Sequence, residues 1–270
     1  VTNMQEMFYQ CQSLTSLDLS NFDTTKVTDM HNMFDTCRAL TSLDLSSFNT
    51  SNVTKNGFEA MFTSCSNLVS LDISNFDTSN VTYLNAMFNG CRSLTSLDIR
   101  HFKTDNVIGM QGTFAYCSSL TSLDLSSFNT SNVTSMLSMF NSCSSLTSLD
   151  LSNFDTSKTT SFEGMFARMY NITTLDLSSF DTSKLTTIKN MFVLSIQENY
   201  THTDYLNITP KLKTIYVSNK WNVSSLTSET VFTNNLSLIG GNGTEFDSTK
   251  LTTEYARVDT NDAVGYLTLK

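Results

Sequence analysis

Cations are scarce in this 270-residue chain. Lys and Arg number 16 against 25 Asp and Glu, the net charge is −9, and only 15% of residues are charged. Phosphate recognition needs clustered Lys and Arg, so nucleic acid is excluded as an expected partner. A polybasic membrane patch is excluded for the same reason. No apolar run is long enough to span a bilayer, so no membrane insertion is expected. No G-x-G-x-x-G or G-K-[ST] motif occurs. His31, His101 and His202 lie far apart, and no nucleophile accompanies a base at a telling spacing. Neither an enzyme nor a cofactor is expected. A signal peptide and an initiator Met are also lacking. The opening Val1-Thr2-Asn3-Met4 aligns with Val27-Thr28-Asp29-Met30 in mid-repeat, so a piece of a longer protein is expected. Missing targeting signals then say nothing about location.

What is present is a period. Met-Phe recurs at Met7-Phe8, Met33-Phe34, Met61-Phe62, Met87-Phe88, Met139-Phe140, Met165-Phe166 and Met191-Phe192, with Thr113-Phe114 in the gap. The spacing is 26 residues, except for 28 between Phe34 and Phe62. A period of this length means stacked supersecondary units.

Within one unit, Leu14, Leu17 and Leu19 form an L-x-x-L-x-L pattern. Leu17 and Leu19 point to one side of a short strand, and Ser16, Asp18 and Ser20 to the other. Stacking such strands builds a parallel sheet. Phe22 and the turn formers Asp23-Thr24-Thr25 follow. Met30, Met33, Phe34 and Cys37 then fall at i, i+3, i+4 and i+7, a helical stripe, with Thr28 as a candidate N-cap. The expected fold is an α/β repeat: a solenoid with a parallel β-sheet on one face, short helices or 3-10 turns on the other, and a C-terminal cap. Residues 1–217 are assigned to the solenoid and 218–270 to the capping segment, whose composition changes at the Gly240-Gly241-Asn242-Gly243 turn cluster.

Two departures from the repeat are candidate contact sites. The unit after Cys91 reads IRHFKTDNVI where its sisters read LSNFDTSNVT, so Arg100, His101 and Lys103 form a local positive spot that suits an acidic group on a partner. Drift at solvent-facing positions is the simpler reading. The insertion 193–210 carries Tyr200 and Tyr205 and ends at the only proline, Pro210. It reads either as a binding loop or as an irregular edge.

Stacking in register turns equal positions into columns. Asp18, Asp44, Asp72, Asp98, Asp124, Asp150 and Asp176 form one, a candidate ligand-binding face. Adjacent carboxylates about 5 Å apart repel by roughly 1 kcal/mol per pair in water. Hydrogen bonds from flanking Ser hydroxyls are the simplest offset, with weak Ca²⁺ bridging as the alternative. Thr24, Thr50, Thr78, Thr104, Thr130, Thr156 and Thr182 form a second column beside Asp or Asn, which reads as turn closure rather than an ice-matching surface. The six cysteines share one slot. Buried free thiols are expected; neighbouring units would permit a bridge, and a ladder does not converge on a metal.

The unit CxSLTSLDLSNFDTSNVTxMxxMFxxC resembles the repeats of BspA-like leucine-rich repeat surface proteins of bacteria, and the tail GGNGTEFDSTKLTTEYARVD…GYLTLK is similar to the segment that ends such arrays. The resemblance covers nearly the whole chain. It implies a leucine-rich-repeat solenoid on an exported, extracellular protein, with adhesion to a host or neighbouring-cell surface protein as its function. A glycan-binding module using Tyr200, Tyr205, Tyr216 and Trp221, or a passive stalk, are the other readings. Phe22, Phe48, Phe76, Phe102, Phe128, Phe154 and Phe180 stand where the general leucine-rich repeat has Asn or Cys. The Asp/Asn-Thr-Ser turn is expected to satisfy that backbone instead.

Overall fold

The structure is a computed structural model that describes residues 1–194 and 209–270. Its units are joined mainly along the segment that carries Met-Phe. There, alternate N–H groups leave the unit and the others stay within it. The N–H groups of Met30, Asn32, Phe34 and Thr36 donate to the carbonyls of Gly57, Glu59, Met61 and Thr63 of the next unit at 2.7–3.0 Å. Those of Met33, Asp35 and Cys37 close local turns onto Met30, Asn32 and Phe34. The same alternation recurs at Met110 to Cys117 and at Met136 to Cys143.

Of the expected short helices or 3-10 turns, this segment forms no helix; it is a run of linked turns, each closed by an N–H to a carbonyl three residues back. Each unit places two residues in the left-handed region four apart: Asn32 and Thr36 (φ 54° and 64°), Ala60 and Ser64 (52° and 58°), Ser138 and Ser142 (54° and 62°). A left-handed residue every fourth position breaks an α-helix. The turns still return side chains to the core at i and i+4, which is why Met30, Met33, Phe34 and Cys37 mimic a helical stripe. Among the described residues the only helix is a 3-10 turn, Thr253–Tyr255, outside the regular units.

The parallel sheet exists in pieces. Strands β1 (Ser42–Asp44) and β2 (Ser70–Asp72) pair in parallel with Leu43 opposite Leu71 and Asp44 opposite Asp72. Farther on, β3 (Thr174–Leu177) pairs with β5 (Thr214–Val217), and β5 with β7 (Thr268–Leu269). Between these, the units from Leu94 to Leu151 carry the pattern but no assigned strand. A third pair, β4 (Phe192–Val193) with β6 (Phe232–Thr233), lies on the turn side. An Asx turn at each Asp of the pattern ends the extended segment after about three residues, leaving little strand to pair.

The core is a set of ladders. Phe8, Phe34, Phe62, Phe88, Phe114, Phe140, Phe166, Phe192 and Phe232 stack face to face, centroids 5.4–6.0 Å apart and planes within 13°. Stacked pairs of this kind add about 0.5–1.5 kcal/mol beyond their burial. Beside them Val27, Val53, Val81, Val107 and Val133 are fully buried, as are Met33, Met61, Met87 and Met139, whereas Met7 in the first unit is exposed.

The threonine column is buried as well, at 0–3% exposure. Each hydroxyl clips two units together. The Thr104 hydroxyl donates to the Asn129 carbonyl (2.9 Å) and accepts the Asn129 N–H (2.7 Å). The clip recurs from Thr24, Thr50, Thr78, Thr130, Thr156 and Thr182. These hydroxyls satisfy an N–H and a carbonyl of the next unit, and no threonine of this column faces solvent.

All six cysteines are free. The thiols of Cys37, Cys65, Cys91, Cys117 and Cys143 donate to the Phe8, Phe34, Phe62, Phe88 and Phe114 carbonyls at 3.0–3.2 Å. Burial pushes Cys37 up to about 11 and Cys91 and Cys143 up to about 12. Three units on from Phe114, this post is an amide: Asn235 Nδ2 donates to the Phe192 carbonyl at 2.7 Å. The ladders thus continue beyond Val217. The Asn222 N–H meets Thr182 Oγ1, and Phe232 stacks on Phe192.

Past Leu238 the chain organises around Asp259. Its carboxylate accepts the N–H groups of Asn242, Thr244 and Gly265 and the Thr244 hydroxyl. Gly240 lies so close that a Cβ there would stand 2.5 Å from Asp259 Oδ2. No side chain other than hydrogen fits.

Candidate functional site

The strand-side Asp column is built by local backbone geometry. Oδ1 of Asp18, Asp44, Asp72, Asp98, Asp124, Asp150 and Asp176 accepts the N–H two residues ahead at 2.9–3.3 Å. One oxygen thus serves its own turn, and at Asp98 and Asp176 the second takes Arg100 and Lys270. The offset to charge repulsion comes from these N–H groups together with the Ser hydroxyls. At Asp44 the Ser46 hydroxyl and N–H hold the carboxyl below its ordinary range. At Asp150 the Ser152 N–H and hydroxyl do so against the opposing influence of Asp176 and Asp124. Asp18 and Asp124 are lowered in the same way. Asp124 and Asp150 line a shallow depression of about 380 Å³ with Ser122, Ser126 and Ser152.

The column ends on a cation. Opposite Asp176 on β5 stands Tyr216, and Lys270 beyond β7 passes its ammonium over that ring, 5.8 Å from the centroid, to reach Asp176 Oδ2. Burial alone would raise Asp176, but Lys270 and Ser178 outweigh it and lower the carboxyl.

In the unit after Cys91 the Arg100 guanidinium is already paired, while the exposed Lys103 engages its neighbours through its backbone. Arg100 forks onto Asp98 of its own unit, Nε to Oδ1 at 3.0 Å and Nη2 to Oδ2 at 2.7 Å. That bidentate bond pushes Asp98 far below its usual range. His101 turns its ring edge against Phe102 (centroids 5.2 Å apart), and its Nε2 is buried without a hydrogen bond. The backbone N–H of Lys103 joins the clip to Thr78 Oγ1. The three residues are neighbours with separate engagements. Tyr200 and Tyr205 lie outside the described residues. Trp221 is 7% exposed with its indole N–H bonded to the Ala256 carbonyl, so it offers no stacking face to a sugar.

Among the described residues, no group of three His, Cys, Asp or Glu is placed to hold a metal ion, and no helix is long and apolar enough to cross a membrane. A second Asx column runs through Asp23, Asn49, Asp77, Asn129, Asp155 and Asp181, each accepting the N–H two residues on. The surface is thus an array of repeated, internally braced polar groups.

A family described as "Mycoplasma protein of unknown function, DUF285" matches residues 1–68, 56–173, 93–205 and 121–253, overlapping matches of the kind a repeat array gives. No curated protein and no solved structure matches the chain.

Proposed function

The chain belongs to the DUF285 family, and from that premise we propose that it is a protein-binding adhesion module of a bacterial surface protein, resembling the BspA-like group. Its stacked units are read as a leucine-rich-repeat solenoid, closed by residues 218–270 and displayed outside the cell. The partner is a host or neighbouring-cell surface protein.

One observation carries the reading. Seven carboxylates repeat along one side, each fixed by its own backbone turn. Fixing these side chains in the free protein lowers the entropy cost of binding over an extended surface. Asp carboxyls ionise near pH 4 and are anionic at neutral pH, so the partner surface is expected to be basic. Electrostatic matching of that kind raises association rate and is weakened by salt.

The test is surface plasmon resonance of the chain against extracellular-matrix proteins at low and physiological salt. Changing Asp98, Asp124 and Asp150 together to Asn keeps an acceptor in every turn and removes three charges. A loss of affinity of tenfold or more supports the proposal. Binding that ignores the triple variant removes the Asp face from it, and silence across the panel favours a passive stalk.

A further inference from the structure

On the turn side, between the units of Cys37 and Cys117, lies a groove of about 610 Å³. Its size suits a small ligand. Its rim carries Arg38 and Arg92, and its walls Ser64, Asn67, Asn89 and Tyr116. We infer that this groove binds a carboxylate-bearing saccharide.

The first argument is charge. The other described arginines are engaged: Arg100 by Asp98, Arg257 by the Val264 carbonyl and Arg168 by Asn141 Oδ1. Neither Arg38 nor Arg92 has a carboxylate within ion-pair distance, and no acidic residue lines the groove. Both follow the cysteine of their unit, in a column that reads Gln12, Arg38, Ser66, Arg92, Ser118, Ser144. The stacking is direct, since the Ser93 N–H bonds the Ser66 carbonyl and the Ser119 N–H the Arg92 carbonyl. Two units of about 4.8 Å put the arginine backbones roughly 10 Å apart with a serine between them. Guanidinium matches carboxylate by a two-pronged hydrogen bond, and an unpaired one on a net-negative protein is a ready receptor for it. Beyond about 8 Å the overall charge is screened at physiological salt.

The second argument is shape, and it comes from Gly90. It belongs to a left-handed column of Gln10, Thr36, Ser64, Tyr116, Ser142 and Arg168, with φ of 57–64°. Six side chains tolerate that backbone, so the conformation does not demand glycine. What glycine provides is a notch. A Cβ at Gly90 would stand 3.3 Å from the Ser64 backbone, in the gap between Ser64 and Tyr116 where the groove lies. The notch, the two free cations and the one aromatic of the groove coincide.

The third argument is the chemistry of the walls. Asn amides and Ser hydroxyls both donate and accept, as sugar hydroxyls require, and the Tyr116 ring offers an apolar face to sugar C–H groups. The groove contains no large aliphatic side chain to seat a peptide anchor. Two cations are too few for a nucleic acid.

Isothermal titration calorimetry with trigalacturonate and 3′-sialyllactose tests this, with lactose and a tri-glutamate peptide as controls. Saturable binding of one acidic sugar is expected, weakened tenfold or more by Arg38→Gln with Arg92→Gln. Gly90→Ser, which installs the residue already found at Ser64 and Ser142, should weaken it comparably while the far-ultraviolet spectrum is kept. Arg100→Gln should leave it unchanged. Absence of binding by both sugars, equal binding of lactose or the peptide, or affinity indifferent to the groove variants would each overturn the inference.

Discussion

Thr104→Val tests whether the threonine column holds the units together. Valine has the shape of threonine and lacks its hydroxyl, so the packing of this buried site is preserved. Two hydrogen bonds disappear, the donor to the Asn129 carbonyl and the acceptor for the Asn129 N–H. A buried donor left without a partner costs about 1–3 kcal/mol, and the carbonyl adds a smaller amount because it has a second lone pair. The expected loss is roughly 2–4 kcal/mol. Thr134→Val is the matched control. Its hydroxyl also bonds across a unit, to the Ile108 carbonyl at 3.0 Å, but it is exposed and water replaces the bond. There the expected loss is under about 0.5 kcal/mol. Because long repeat arrays need not unfold in one step, urea denaturation should be paired with amide hydrogen exchange. Exchange of the Asn129 N–H should accelerate in Thr104→Val, with a weaker effect in more distant units. Thr104→Ser should restore most of the protection. Equal destabilisation by the two valine variants, or no local change at Asn129, would refute the reasoning.

Native protein at pH 8 should react with a thiol reagent quickly at exposed Cys11, while the five buried thiols react only on unfolding; prompt reaction of more than one equivalent would refute their burial. Phe114→Ala, which removes the ring between Phe88 and Phe140, should cost about 3–5 kcal/mol in denaturant titration. Asp44, Asp124 and Asp150 have folded pKa values below their unfolded ones, so their contribution is present above about pH 4 and is lost as pH falls through the folded values. Melting temperature should therefore fall on acidification below about pH 4. Asn at those three positions should flatten that slope, since Asn serves the same turn at Asn49 and Asn129. Asp259→Ala should cost about 2–4 kcal/mol, leaving several donors around Gly265 unpaired, with hydrogen exchange rising in residues 239–270.

The columns were legible because identity repeats at fixed spacing. Phe34 and Phe62 read as one column from letters alone, and they do stack. Turn closure by Asp23 was equally readable, since an Asp-Thr-Thr run has few other uses. The helix was misread because i and i+4 is also the spacing of linked turns. What separates the two is the left-handed backbone at Asn32 and Thr36, which glycine marks only at Gly90, Gly112 and Gly164 of those columns. The burial of Thr104 was hidden for a different reason: threonine suits a surface turn and a buried clip alike. Of the candidate site, the Asp column followed from the alternation of strand side chains. The pairing of Arg100 with Asp98 did not, because two residues apart on an ideal strand they point the same way without any requirement to touch. The groove by Gly90 had a signal, a glycine in a column of larger residues, but only stacking shows that Arg38 and Arg92 border it.

Each kind of joint connects the same two repeat positions of successive units, as the Thr104–Asn129 and Thr130–Asp155 clips and the Phe34–Phe62 and Phe62–Phe88 stacks do. A unit therefore presents to its successor the same donors, acceptors and rings that its predecessor presents to it. Excising one period, such as residues 119–144, would bring together surfaces that already match. Addition of a period would do the same. For a gene whose repeats are alike, unequal recombination is then a change of length that leaves the fold intact. The reach of the molecule can drift between lineages while its joints stay constant, and a neighbouring groove or charged row is carried along or lost as a whole.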